Sequence, residues 1–186
     1  MKTNLWFILL ILLIPIKLMA QNETVTDIDG NTYATIKNGN QVWMAENLKT
    51  TRLNDGTLIP LVANSRIWVN LTNSAYCWHN NNEKANKKQY GALYNWFAVE
   101  TGKLCPVGWH VPSDKLWLSE AYIPAGYRDE NGSYWFGDNS SLYWTSTECS
   151  STEAYYTIVS FDGSEVKRDY TLKNYGISVR CVKNEK

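Results

Sequence analysis

LCPVGWHVPSDKLW, residues 104–117, and GISVRCVK, residues 176–183, are the two stretches on which the reading of this chain turns. The first sets Cys105 before a Pro-x-Gly-Trp-His turn, and the second sets Cys181 late in an alternating terminal strand. Cysteines placed in this way suggest one domain whose distant parts are stapled together, a loop-rich module built to display a surface. Along the terminal strand Ile177, Val179 and Cys181 alternate with Ser178, Arg180 and Val182, which predicts one apolar and one more polar face.

Residues 1–20 read as an export leader. Lys2 supplies the positive start, residues 5–14 are an unbroken apolar run, and residues 15–20 lead to a cut before Gln21. Pro15 and Lys17 end the run well short of the ~20 apolar residues of a membrane span, so no transmembrane segment is expected in the mature chain. Residues 21–186 fit a single secreted or extracytoplasmic domain. The chain carries eighteen basic and eighteen acidic residues, and Lys2 and Lys17 depart with the leader. A mature chain tilted slightly to the acidic side has no electrostatic footprint for nucleic acid or an anionic membrane. Aromatics are abundant, and of nine tryptophans, twelve tyrosines and four phenylalanines only Trp6 and Phe7 lie in the leader. Such rings supply much buried area and suit half-wet sites. The four cysteines, Cys77, Cys105, Cys149 and Cys181, read as disulfides with three connectivities open. Zinc is disfavoured, because Cys77-Trp78-His79 is the one Cys/His cluster and His110 the one other histidine.

Short strands are joined by self-announcing turns. Asp29-Gly30, Asn38-Gly39, Asn131-Gly132 and Asp162-Gly163 each separate alternating runs, the strongest local signal for antiparallel hairpins. One long helix is expected over residues 86–101, where Tyr90, Leu93, Tyr94, Phe97 and Ala98 form a core stripe and Gly102 the stop. A second, shorter helix should start at the Ser113 cap and end before Ile123-Pro124. Residues 47–77 read as loop with one strand over 67–71.

With those residues placed, the chain resembles the Fibrobacter succinogenes major paralogous domain family of secreted and surface proteins. The likeness runs through VTDIDGNTY at Val25, QVWMAENLK at Gln41, YCWHNN at Tyr76, YGALYNWFAV at Tyr90 and TGKLCPVGWHVPSD at Thr101. It continues through AGYRDENGSYW at Ala125, WTSTE at Trp144 and GISVRCVK at Gly176. The resemblance implies an α+β, C-type-lectin-like fold, two helices packed on short antiparallel sheets with the chain ends close together. It implies a Cys105–Cys181 disulfide, which leaves Cys149 either to pair with Cys77 or to stay a free thiol. Three departures stand out: a shortened loop between Trp117 and Gly126, Leu116 in place of an acidic residue, and the extra Cys149 after Trp-Thr-Ser-Thr-Glu. Members generally have no established activity, and binding or adhesion is presumed.

No catalytic residue is assigned. Gly-x-Ser-x-Gly, His-Glu-x-x-His and phosphate-binding loops are absent, His110 belongs to a turn, and His79 sits in a polar loop. The enzyme alternatives are a glycosidase built on Asp129, Glu130, Asp138 and Glu148, or a relative of formylglycine-generating-type sulfatase modifiers. The favoured reading is a non-catalytic module that binds carbohydrate or protein surfaces. Its candidate ligand residues are Tyr134, Trp135, Tyr143, Trp144 and Glu148, drawn from a cluster that also holds Phe136, Asp138 and Asn139. No cofactor is expected. Calcium, through Asp138, Asn139 and Glu148, is the one cation worth weighing. A structural envelope domain without a small ligand is the third alternative.

Overall fold

The computed structural model describes residues 23–116, 123–136, 140–162 and 165–185. The leader, Trp117, most of the second expected helix, Asp138, Asn139 and Gly163 lie outside the described residues. Among the described residues, twelve strands fall into four antiparallel sheets. β1 (Thr24–Thr26), β2 (Thr32–Asn38) and β3 (Gln41–Met44) form a meander. The Asn38-Gly39 signal closes its second hairpin, with Asn38 paired to Gln41. The terminal strand β12 (Val182–Lys183) lies between β3 and β6 (Trp109–His110), which completes a five-stranded sheet in the order β1-β2-β3-β12-β6. A second sheet pairs β9 (Ser140–Glu148), β10 (Glu153–Ser160) and β11 (Val166–Leu172). Two small hairpin-like pairs remain, β4 (Tyr76–Cys77) with β5 (Leu93–Tyr94) and β7 (Tyr127–Arg128) with β8 (Tyr134–Trp135).

The stretch from 176 to 182 ties these sheets together. Gly176 bridges Arg128 of β7, Ile177 bridges Tyr94 of β5, Ser178 bridges Tyr143 of β9, and Val182 pairs with both Trp43 and His110. Every residue of the stretch is therefore buried, and the expected polar face does not exist. Arg180 is sealed inside, with its guanidinium 5.4 Å from the Tyr143 ring centre and 3.4 Å from Asn47 Oδ1. The disulfide joins Cys105, just before β6, to Cys181, just before β12, with Cα atoms 6.0 Å apart. It locks the strand on one side of the hub to the hub itself. The Cys77–Cys149 bridge is not formed. Cys77 is a buried free thiol on β4, while Cys149 is a half-buried free thiol beyond the end of β9.

Helices are shorter than the periodicity implied. The expected helix over 86–101 is broken into α2 (Glu83–Tyr90), the strand β5 and a single turn, α3 (Trp96–Val99). Gly91 makes the break. Its φ is +73°, and a Cβ there would lie 2.7 Å from the Leu48 carbonyl oxygen, so the chain passes at close range in a conformation that favours glycine. The Ala92 amide then donates to Leu48 (2.9 Å) and Tyr94 exchanges bonds with Ile177, interactions that a continued helix would forfeit. Asn95 starts α3 by accepting from the Ala98 amide at 3.2 Å. The expected strand over 67–71 is a helical turn, α1 (Ser65–Trp68), capped by Asn64 Oδ1 with the amides of Arg66 and Ile67. At the Ser113 cap a single turn closes, Leu116 N–H to the Ser113 carbonyl at 3.0 Å.

The core is aromatic. Tyr33, Tyr94 and Trp144 are fully buried in one cluster with Met44, Leu48, Ile177 and Val179. Their polar tips are satisfied: Trp144 Nε1 donates to the Tyr94 carbonyl (2.7 Å), Tyr94 Oη to the Thr50 carbonyl (2.7 Å) and Tyr33 Oη to Asp27 (2.6 Å). Among the described residues no helix is long and apolar enough to cross a membrane.

Candidate functional site

The β7–β8 hairpin is built from its turn outward. Asp129 Oδ1 accepts the amides of Asn131 (3.0 Å) and Ser133 (2.8 Å), a local closure that short polar side chains favour. Alternation then sends Arg128 and Tyr134 inward and their strand neighbours, Tyr127 and Trp135, the other way. Arg128 anchors the hairpin. Fully buried, it donates to the carbonyls of Val62 (2.7 Å), Ala63 (2.9 Å) and Gly132 (3.1 Å), between the rings of Trp68 and Tyr134. No carboxylate is needed, because its donors are met by backbone oxygens.

The outward residues line a cleft of about 450 Å³. Tyr127, Trp135, Phe136 and Tyr175 form one side, and Leu142, Tyr156 and Ile158 of the β9–β11 sheet contribute to the other. Tyr127 and Tyr175 are stacked, 6.2 Å between centres at an interplanar angle of 11°. Trp135 and Phe136 remain 52% and 55% exposed, so large apolar faces stand open to solvent beside the cleft. Phe136 rests on His79, ring centres 4.0 Å apart.

Carboxylates position these rings from behind. Trp135 Nε1 donates to Asp129 Oδ2 at 2.7 Å, Tyr175 Oη to Glu130, and Tyr156 Oη to Asp169 at 3.4 Å. Burial, reinforced by the acceptor carboxylates, pushes the Tyr156 and Tyr175 phenols up to about 12. Burial raises Tyr127 as well, with Asp129 and Glu130 adding to it. These phenols are therefore neutral near pH 7, and the cleft presents uncharged ring faces. Asp129 and Glu130 spend their oxygens on turn amides and ring donors, an arrangement that orients rings.

The expected ligand residues divide sharply. Trp135 lies on the cleft. Tyr134 turns inward, its hydroxyl held by Asn81 Oδ1 at 2.7 Å. Tyr143 and Trp144 have no exposed surface, because β9 is the inner strand against the 176–182 hub, and they cannot meet a ligand. Glu148 is bound to Lys173 Nζ at 2.5 Å and takes no part in the cleft. That contact also engages the described member of the calcium trio. His79 is a buried residue of a tight turn and not part of a polar loop, and burial lowers its pKa. Tyr127, Tyr156 and Tyr175 were missed. Tyr127 could have been found by counting alternation back across the Asn131-Gly132 turn from Trp135, whereas Tyr156 and Tyr175 reach the cleft only through tertiary packing.

Residues 36–122 match the family model described as the Fibrobacter succinogenes major domain. The similarity to this family is thus confined to the segment 36–122. The match takes in β3, all three helices and β6, and it ends before the β7–β8 hairpin and the β9–β11 sheet. The aromatic cleft thus lies beyond the matched part of the chain. No curated protein and no solved structure matches it.

Proposed function

We propose that this protein is a non-catalytic, extracytoplasmic binding module that holds carbohydrate in the cleft between the β7–β8 hairpin and the β9–β11 sheet. The observation that carries this reading is an open aromatic cleft whose rings are held by part-buried hydrogen bonds to carboxylates before any ligand arrives. Pre-set rings lose little freedom on binding, and their faces suit the C–H surfaces of a sugar ring. Ser140 and Thr171 in the lining carry hydroxyl groups of the kind that sugar hydroxyls seek. The disulfide suits an oxidising compartment. The lectin-like architecture implied by the resemblance agrees with short antiparallel sheets around a stapled hub.

A glycan array with the mature protein, run with and without calcium, tests this. The expected result is binding to a subset of neutral glycans, unchanged by chelation, reduced at least about tenfold by Trp135→Ala, the cost of a removed aromatic anchor, and kept by Trp43→Ala variants that fold. Silence across all glycans, or equal binding by Trp135→Ala, refutes it. Loss of binding on chelation returns weight to calcium.

A further inference from the structure

A second cleft, of about 540 Å³, lies along α2 and is lined by Asn31, Lys49, Glu83, Lys84, Lys87 and Lys88. Four lysines against one glutamate make this lining strongly basic in a chain whose charges balance as a whole. Two of the four are partly neutralised. Lys49 Nζ bonds Glu46 at 3.0 Å and sits 4.8 Å from the Tyr33 ring centre, while Lys87 Nζ bonds Glu83 at 2.8 Å and sits 5.3 Å from the Trp78 ring centre. Lys84 and Lys88 form no ion pair among the described residues. They stand four apart on one face of an eight-residue helix, where like charges repel. Lys84 is also in the first turn, at the positive end of the helix dipole. The repulsion and the position of Lys84 work against α2, whereas Lys88 in the last turn suits the dipole. A short helix has little stability to spare.

We propose that this lysine-lined cleft binds an acidic polysaccharide, one whose carboxylate or sulfate groups meet Lys84 and Lys88. The site is independent of the aromatic cleft. Its chemistry selects against two other polyanions. The rings beneath the lysines, Tyr33 and Trp78, are buried, so nucleic-acid bases find no open face to stack on. No lining residue is apolar, so a membrane surface gains no inserted side chain. A soluble chain that offers regularly spaced anions needs neither.

Affinity measurements on the full mature protein with polygalacturonate, heparin and neutral dextran test the site. Wild type is expected to bind at least one polyanion at ~0.15 M salt and to lose it near ~1 M, where the screening length falls to about 3 Å. Dextran should not compete. Lys84→Gln with Lys88→Gln should weaken polyanion binding about tenfold or more. Glutamine keeps helix propensity and removes the repulsion, so the variant's melting temperature should not fall. Loss of binding without loss of stability separates a ligand role from a structural one. Trp135→Ala should bind the polyanions as wild type does, so failure of the aromatic-cleft reading leaves this site standing and the converse holds too. Binding of polygalacturonate alone assigns carboxylates, and of heparin alone assigns sulfates. The proposal is overturned if wild type binds neither, if the double variant binds equally well, or if duplex DNA or phosphatidylserine vesicles bind as tightly through the same lysines.

Discussion

Removing the Cys105–Cys181 staple should cost a large share of this domain's stability, and the structure gives the scale. The bridge spans 76 residues of sequence, and for a loop of that size the chain-entropy account gives about 4.5 kcal/mol at 25 °C. Domains have about 5–15 kcal/mol in all, and at about 2–4 °C per kcal/mol the melting temperature should drop by roughly 9–18 °C. Both sulfurs are buried, so Cys105→Ala with Cys181→Ala adds a packing loss to the entropic one. Reduced wild type keeps the sulfur atoms and isolates the entropic part. Urea unfolding of oxidised, reduced and double-alanine protein, followed by tryptophan fluorescence, reads all three. Because the staple acts on the unfolded chain, the reduced form should show a steeper denaturant slope as well as a lower midpoint. A reduced protein within about 1 kcal/mol of the oxidised one, with the same slope, would refute the idea that this bond secures the hub.

Thiol labelling of unreduced protein should find one accessible sulfur, Cys149, in the native state and a second, Cys77, only after unfolding, since Cys77 is buried and its thiol is pushed up to about 11 by that burial. Four reactive sulfurs, or none, would contradict the pairing. Burial lowers the pKa of His79 below the ~6.5 of an unfolded chain, so its contribution is level above that pH and stability falls as pH drops below it, where the unfolded state takes up the proton. His79→Gln should flatten that limb of a melting-temperature profile, and an unchanged limb would place the effect elsewhere. Gly126→Ala should destabilise by about 2–5 kcal/mol, because its φ is +70° and the new Cβ would lie 2.3 Å from the Trp135 carbonyl oxygen and 2.8 Å from the His79 ring. A melting temperature within a degree or so of wild type would show that the hairpin can give way.

Local signals carried well into three dimensions. Asn38-Gly39 and Asn131-Gly132 close hairpins because a two- or three-residue turn depends on little beyond its own φ and ψ. The helix over 86–101 failed for the complementary reason. Its apolar stripe is real, since Leu93, Tyr94 and Ala98 are buried, but strand pairing with Cys77 and Ile177 competes for the same residues and Gly91 permits the change. Burial of Tyr143 and Trp144 was equally out of reach, because it depends on where the terminal stretch runs. At the cleft, sequence proximity grouped Tyr134 to Trp144 as one surface, yet β-alternation and an inner strand divide that group. Trp135 and Phe136 stay outside, and their true companions, Tyr156 and Tyr175, arrive from strand and turn segments further along.

The central claim is that sugar binds against the rings of the aromatic cleft, and its most direct measurement is a residue-resolved NMR titration of mature protein with the strongest glycan from the array. The indole N–H of Trp135 and the ring protons of Tyr127 and Tyr175 should shift together with one dissociation constant, while the buried indole of Trp144 stays fixed. Shifts that cluster elsewhere on the surface, or that leave Trp135 unmoved at saturation, would contradict the account.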